Sequence, residues 1–366
     1  MGGRGSRRAN ARRGARREPR PPKINRSPRS FRNPTPSVLF LKSANRPPEL
    51  AFSIDTPSES ATIAPMPYTL PRAVLLLLVS LATAQGQPPE TVGADPAHQR
   101  NPVLQAVLRD GIKSGETAVS LPAPTMRDDD DAAKQRARMA EVCGSERAVD
   151  EFLRDSVTAP FILKTHDAKT PDAIIRSVDV WFVVRADLDK LDPVPLISSA
   201  EGKVVDVANM RFEQRLLTDD ELKARNLSAR LEGDDPHWFV HLKSRLLGRI
   251  GFEAVDEAAA SRGDSSMIIA ARVSPAFNAP GEREPTNHWR NLADDGPEQP
   301  FQGGVSYAKI TRLHEPPGAL FVELHAAFAE PEAWFRGAPI LRSKFSLVAQ
   351  DQIRRLRREL LKERAE

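Results

Sequence analysis

The chain has 366 residues, a formal charge of +4 and a pI near 9.3, a balance that taken whole points to nucleic acid or an acidic membrane. The excess sits in residues 1–65, which carry fourteen basic against four acidic side chains, so residues 66–366 hold −6 and lose the nucleic-acid reading. Cys143 is the only cysteine, which excludes an internal disulfide, and no run after residue 90 is apolar for long enough to cross a membrane.

Residues 1–65 are rich in Arg, Pro, Ala and Gly and show no apolar periodicity before Val38. Two readings fit: a disordered basic arm that binds nucleic acid, or upstream sequence ahead of a true start at Met66. The next stretch favours the second. Arg72 precedes the apolar run Ala73–Leu81, and Ala82-Thr83-Ala84 offers small residues where a signal peptidase reads. Residues 66–84 therefore read as a secretory signal peptide, with a short buried helix over 73–84 as the competing reading. Cleavage near Ala84 leaves a chain of charge −7 from Gln85, exported to a bacterial periplasm or the extracellular space. No cysteine follows the cut to carry a lipid anchor, so a soluble product without a transmembrane anchor is expected.

Residues 85–129 are poor in apolar periodicity and read as a flexible linker, with at most a short helix over Pro102–Asp110. Asp128–Asp131 places negative charge at the start of a helix over Ala132–Val142, which Gly144 stops. Ser145 caps a second helix with Val149, Phe152 and Leu153 on one face. Phe161–Lys164 is a short strand. Ala173–Ala186 is a long central one, with Val178, Val180, Phe182 and Val184 on one face and Asp179, Trp181 and Val183 on the other. Asp187, Asp189 and Asp192 lie in the loop after it. Lys203–Ala208 reads as a strand, and Thr218–Glu221 is a capping box for a helix reaching Asn226.

Asp235-Pro236 is a helix start, and Trp238, Leu242 and Leu246 keep helical spacing; the later residues, from Arg249 to Ala259, read as a strand. That strand pairs across Ser261-Arg262-Gly263-Asp264 with Ser266–Val273. The Arg-Gly-Asp triplet is read as turn chemistry rather than as an adhesion sequence. Residues 278–302 form a long polar loop. Val305–Leu313 and Ala319–Ala329 make a hairpin: if Leu313 faces Ala319, then Ala308 faces Leu324 and Ile310 faces Val322, while Lys309 meets Glu323 and Tyr307 meets His325. Pro331–Phe335 is one helical turn ended by Gly337. A terminal amphipathic helix over Leu347–Lys362 sets Leu347, Ile353, Leu356 and Leu360 against Arg354, Arg355, Arg357 and Arg358.

This order predicts a single α+β domain over residues 130–362: a largely antiparallel, curved sheet packed on the long C-terminal helix, with helices at its N-terminal side. It resembles the arrangement of helix-grip domains that bind small lipids. Tyr307, Lys309, Glu323 and His325 are the candidate acid–base group, against a solvated charge ladder. His237 and His241, with Asp234, are candidate metal ligands, against two partly exposed histidines, and Trp238 stands where a metalloprotease pattern needs Glu. Cys143 has no placeable His partner and reads as a packed or exposed thiol. No phosphate loop, dinucleotide fingerprint, nucleophile elbow or paired-cysteine motif occurs, so no cofactor is expected. The expected function is non-catalytic: binding of an apolar small molecule, or of another envelope protein through residues 278–302 and the terminal helix. The alternative is a hydrolase or lyase using the His/Glu/Tyr group. Expression from Met66 and intact-mass measurement should give an N-terminus at Gln85; one well upstream overturns the export reading.

Overall fold

A computed structural model describes residues 95–193, 202, 204–233, 235–278, 284–301, 303–336 and 338–364. The signal-peptide and basic-arm readings, and Asp234 and Gly337, lie outside these residues. The chain divides into two units, Met1–Ala64 and Pro65–Glu366, and every described residue belongs to the second.

Two short helices open it, α1 (Pro96–Gln99) and α2 (Pro102–Asp110). Each has Pro at its first position and an Asp95 or Asn101 side chain accepting a first-turn N–H, as helix starts favour. Strands β1 (Ile112–Ser114) and β2 (Thr117–Val119) pair as a small hairpin. Helix α3 (Ala132–Cys143) is capped by Asp131 and ends at Gly144, whose φ of 83° is the left-handed exit expected of that residue; Ser145 caps α4 (Glu146–Phe152). The main sheet contains β3 (Ile162–Lys169), β4 (Ala173–Arg185), β5 (Val204–Val207), β6 (Met210–Leu216), β7 (His237–Leu246), β8 (Ile250–Arg262) and β9 (Ser266–Val273), then β10 (His288–Asn291), β11 (Gln299–Pro300), β12 (Gly304–Arg312) and β13 (Ala319–Pro331). Helix α5 (Asp219–Lys223) comes after β6 with the expected capping box, and α6 (Glu332–Phe335) and α7 (Ile340–Glu363) close the chain.

The strand order is β3-β4-β13-β12-β9-β8-β7-β6-β5, antiparallel throughout, with β10 beside the first half of β8 and β11 beside β10. The protein is α+β: a large antiparallel sheet with a few helices, one of them C-terminal. Residues facing α7 form one apolar cluster that runs from Val178 and Phe182 on β4 to Phe212 on β6 and Ile353 on the helix. Nine flat strands would span about 40 Å, so a single helix can close this face only if the sheet curls around it. We call this the inner face.

The outer face is covered too. Val103, Leu104, Val107 and Leu108 of α2 pack with Ile112, Val119 and Leu121 over the odd-numbered side of β4, β13, β12 and β8 and the even-numbered side of β9. Met126, Met139, Val149 and Phe152 extend the cover over Trp181, Val183 and Phe321. Residues 95–129 are thus a strap laid across the sheet, where composition reads as a linker; the expected helix Pro102–Asp110 is present because its apolar side has a partner surface.

Further expectations are corrected. Residues 237–246 are strand, not helix: Trp238, Leu242 and Leu246 are four apart, a multiple of two as well as near one helical turn, so both periodicities place them on one face. The loop 278–302 contributes β10, and Trp289 and Phe301 from it are buried on the inner face. Helix α7 starts seven residues early, so its buried stripe is Leu341, Phe345, Val348, Ile353 and Leu360, while Leu347 is 54% exposed. Arg357, expected in water, is buried and donates to the carbonyls of Val183 at 3.0 Å and Ala159 at 2.5 Å. Burial pulls its guanidinium down to about 10.

Leu104→Ala tests the strap. Its side chain is fully buried, so urea unfolding should show a loss of about 2–5 kcal/mol; a linker at this position would leave the midpoint unchanged.

Candidate functional site

The hairpin register is the one expected: Tyr307 faces His325, Lys309 faces Glu323, Ala308 faces Leu324 and Ile310 faces Val322. The polar four share the outer face, but they are not solvated. All are 1% exposed or less, beneath the strap. Beside them, Asp179 on β4 stands directly opposite His325.

Most of their hydrogen bonds go to the strap's main chain. Glu323 accepts from the backbone N–H of Thr125 at 2.6 Å and Met126 at 3.2 Å; Lys309 donates to Met126 O at 3.0 Å; Tyr307 donates to Pro122 O at 2.7 Å. Trp181 donates its indole N–H to Thr125 Oγ1 at 3.0 Å. Lys309 also pairs with Asp128 at 3.0 Å, and Ser266 Oγ donates to the same carboxylate oxygen at 2.5 Å. His98 on α1 then reaches Ser266 Oγ at 2.7 Å and Ser261 Oγ at 2.9 Å. Asp128 is therefore an internal counter-ion and not only a helix-opening charge.

His325 lies between two carboxylates, with Nδ1 at 2.7 Å from Asp179 and Nε2 at 3.3 Å from Glu323. Burial alone would hold its imidazolium down, but the hydrogen bonds to Asp179 and Glu323 outweigh it and lift the pKa to about 9. Burial pushes Glu323 up, yet His325, Lys309 and the Thr125 N–H together bring it below its ordinary value. Asp128 behaves the same way, with Lys309 and Ser266 overcoming burial. His98 behaves oppositely: burial takes it down to about 4 against the pull of Asp128, so it is neutral. Burial, then the charges of Glu323 and Asp179, push the Tyr307 phenol well above its usual range. Converged though they are, these side chains have spent their polar atoms on protein partners, and the arrangement acts as a latch.

The metal candidates are not brought together. His237 and His241 project from the outer face of β7, each bonded at 3.0 Å to its own carboxylate, Glu257 and Glu253. Asp234 is outside the described residues. Among those residues no group of three or more His, Cys, Asp or Glu is placed to hold a metal ion. Cys143 is half-buried against the α3–α4 cluster, and burial raises its thiol to about 11, which keeps it protonated.

A second place carries unspent polar atoms. On the inner face, Leu242, Phe252, Ala254, Phe328 and Trp334 line a cavity of about 20 Å³, room for one water, together with Asp256. No described side chain donates to Asp256, and burial raises its carboxyl to about 7. The indole N–H groups of Trp238 and Trp334 and the hydroxyl of Ser244 are also buried without a partner. Trp334 fills the space itself, stacked on Phe301 at 6.0 Å and on Phe252 at 5.7 Å. Sequence reasoning misses Asp256, although a carboxylate among Ala254, Val255 and Ala258 in a strand is a visible signal.

No family model matches the chain, and no curated protein matches it. Among solved structures it is similar to human STARD10, at 11% identity over 65% of this chain and 83% of that one with a TM-score of 0.30. It is also similar to CalU16 from Micromonospora echinospora, at 11% identity over 56% and 97% with a TM-score of 0.18. With similarities this distant, the architecture is read from strand order and helix packing themselves. Among the described residues no helix is long and apolar enough to cross a membrane.

The latch makes stability depend on pH in both directions. A group whose folded pKa exceeds its unfolded value stabilises the fold below the unfolded value and loses that contribution as pH rises through the folded one. His325 therefore weakens the fold between about pH 6.5 and 9. His98, depressed on folding, weakens it as pH falls from about 6.5 to 4. Urea unfolding across both windows should show the alkaline decline flattened in His325→Gln, with about 3–5 kcal/mol lost near neutrality, and the acid decline flattened in His98→Gln. Slopes identical to wild type would refute the assignment.

Proposed function

We propose that this domain holds an apolar small molecule on its inner face, between the sheet and α7, with Asp256 taking the ligand's one hydrogen-bond-donating or cationic group. The observation that carries the reading is the set of unanswered polar groups on a face that is otherwise apolar. A fold rarely leaves buried donors unpaired without a reason, and here two buried indole N–H groups and a hydroxyl share one face with the half-buried Asp256 carboxyl. A carboxyl poised near neutrality in an apolar wall can receive either an amine or a hydroxyl.

The cavity is water-sized because Trp334 and Phe301 occupy it. Trp334 belongs to the four-residue helix α6 and Phe301 to the segment after β11, both short connections rather than the sheet body. Swinging the two rings aside opens space along Phe252 and Phe328 without breaking a strand pair. The hydrolase or lyase alternative would need substrate to reach Glu323 and His325 beneath residues 122–128. The signal-peptide reading of residues 66–84 supports export, and the same apolar-ligand function then operates outside the cytoplasm.

Nile red and dodecylamine are the probes. Purified full-length protein should bind Nile red saturably, more tightly as Trp334→Ala, and dodecylamine should displace it. Asp256→Leu should keep Nile red binding while losing about tenfold in dodecylamine affinity, the order of one charge-assisted hydrogen bond. That variant also has a fold readout. The raised Asp256 pKa means stability falls as pH climbs from its unfolded value near 3.8 to about 7, so the Tm advantage of Asp256→Leu should grow across that window and level off above it. Absence of saturable Nile red binding in both wild type and Trp334→Ala would sink the proposal.

A further inference from the structure

The outer face beyond the strap carries a feature that neither the latch nor the inner cavity uses. Arg211 on β6 lies directly opposite Arg245 on β7; Arg245 is opposite Gly251 on β8; and Gly251 is opposite Arg290 on β10. Three arginines and a glycine thus form one row across four strands, all on the face away from α7. Like charges placed directly across a strand pair are destabilising, so this row costs stability unless something answers it. All three guanidinium groups are exposed, and none forms an ion pair or hydrogen bond with a described residue. Asp206, opposite Arg211 on β5, makes no ion pair with it. In a chain whose residues 66–366 carry −6, an unneutralised cationic row runs against the overall charge.

The row also borders a groove. Gly251 stands between Arg245 and Arg290, and a Cβ there would meet the Leu292 side chain at 3.1 Å. The Leu292 side chain lies over Gly251, and beside it the arginines line an open groove of about 440 Å³. The adjoining row contributes Lys243, with Glu253 already engaged by Lys243 at 3.1 Å and His241 at 3.0 Å, and His288 turned toward Glu298 at 3.5 Å. Glu213, opposite Lys243, is the remaining acid lining it. The groove keeps a net positive character.

We propose that this groove is a binding site for a phosphate group, seated beside Leu292 and held by Arg211, Arg245 and Arg290. Guanidinium is the side chain that fits phosphate oxygens two at a time, and three forks lining one open groove match a tetrahedral, dianionic phosphate ester better than a planar carboxylate. The site is independent of the inner-face ligand: it lies on the other side of the sheet and is held by arginines, not by Asp256. The phosphate can belong to a soluble ester or to a lipid headgroup.

Two probes separate these sources: glycerol 3-phosphate by calorimetry at low salt, and sedimentation with phosphatidylcholine vesicles with and without phosphatidic acid. Saturable glycerol 3-phosphate binding identifies a soluble ester; sedimentation only with phosphatidic acid identifies a headgroup. In either case Arg245→Gln should weaken binding about tenfold, the Arg211→Gln, Arg245→Gln double substitution about a hundredfold, and added salt should weaken the wild type. Because the substitutions relieve repulsion, their Tm without ligand should equal or exceed that of the wild type, so lost binding cannot be laid to misfolding. Failure of the wild type to bind either probe, or binding unchanged in the double variant, overturns the site. Nile red binding should be the same in wild type and double variant, which keeps this result separate from the inner-face proposal.

Discussion

A sheet that is apolar on both faces must be covered twice, and the second cover here is held by buried charge. Glu323, Lys309, Asp179 and the His325 imidazolium lie under residues 122–131 in one connected set of contacts that Asp128 joins from the strap itself. Taking ions out of water costs several kcal/mol each unless every one finds its counterpart, so this set tolerates the strap only in one seating. The terminal helix, by contrast, is held by apolar contact, by one buried guanidinium that meets carbonyls and no carboxylate, and by a half-exposed ion pair of Arg342 with Asp167. The two covers therefore differ in kind: the inner one can slide or loosen by degrees, while the outer one is either seated or lost.

That difference assigns the faces their roles. Polar atoms on the outer face near β12 and β13, the Thr311 hydroxyl apart, are answered by protein, which makes the region a support. On the inner face they are left open beside Asp256 and Trp334, and at the far end of the outer face three arginines are left open around Gly251. Open valence on a rigid sheet is where a small molecule gains most, because the sheet has already met the cost of holding those groups in place.

How much of this is legible in the sequence depends on which periodicities are unambiguous. The β12–β13 register can be written from pairing alone, since two apolar pairs and one opposite-charge pair admit only one alignment. The α3 and α4 boundaries come from Asp131, Gly144 and Ser145 acting in their usual positions. For β7, four-residue spacing is common to strand and helix, and Val240, two residues from Trp238 and from Leu242, is the position that breaks the tie. The strap is hidden because its apolar residues are spread over a helix, a three-residue hairpin and a coil, so no single period reveals it. Yet Trp181 and Val183 lie on the face of β4 opposite Phe182, and a strand apolar on both sides already requires a cover on each. The candidate group is legible by position but not by environment: pairing says which side chains meet, whereas burial depends on residues two hundred positions away.

The latch binds the strap mainly through Pro122 O, Thr125 N, Met126 N and Met126 O. Those atoms are the same whatever side chains the strap carries. Selection therefore acts unevenly on the two partners: Tyr307, Lys309 and Glu323 are tied to their identities, whereas residues 122–124 can drift so long as the backbone keeps its path. Related chains would then share the sheet residues of the latch while differing in the segment that the latch holds, and an alignment built on the strap would overlook kinship that these three positions preserve.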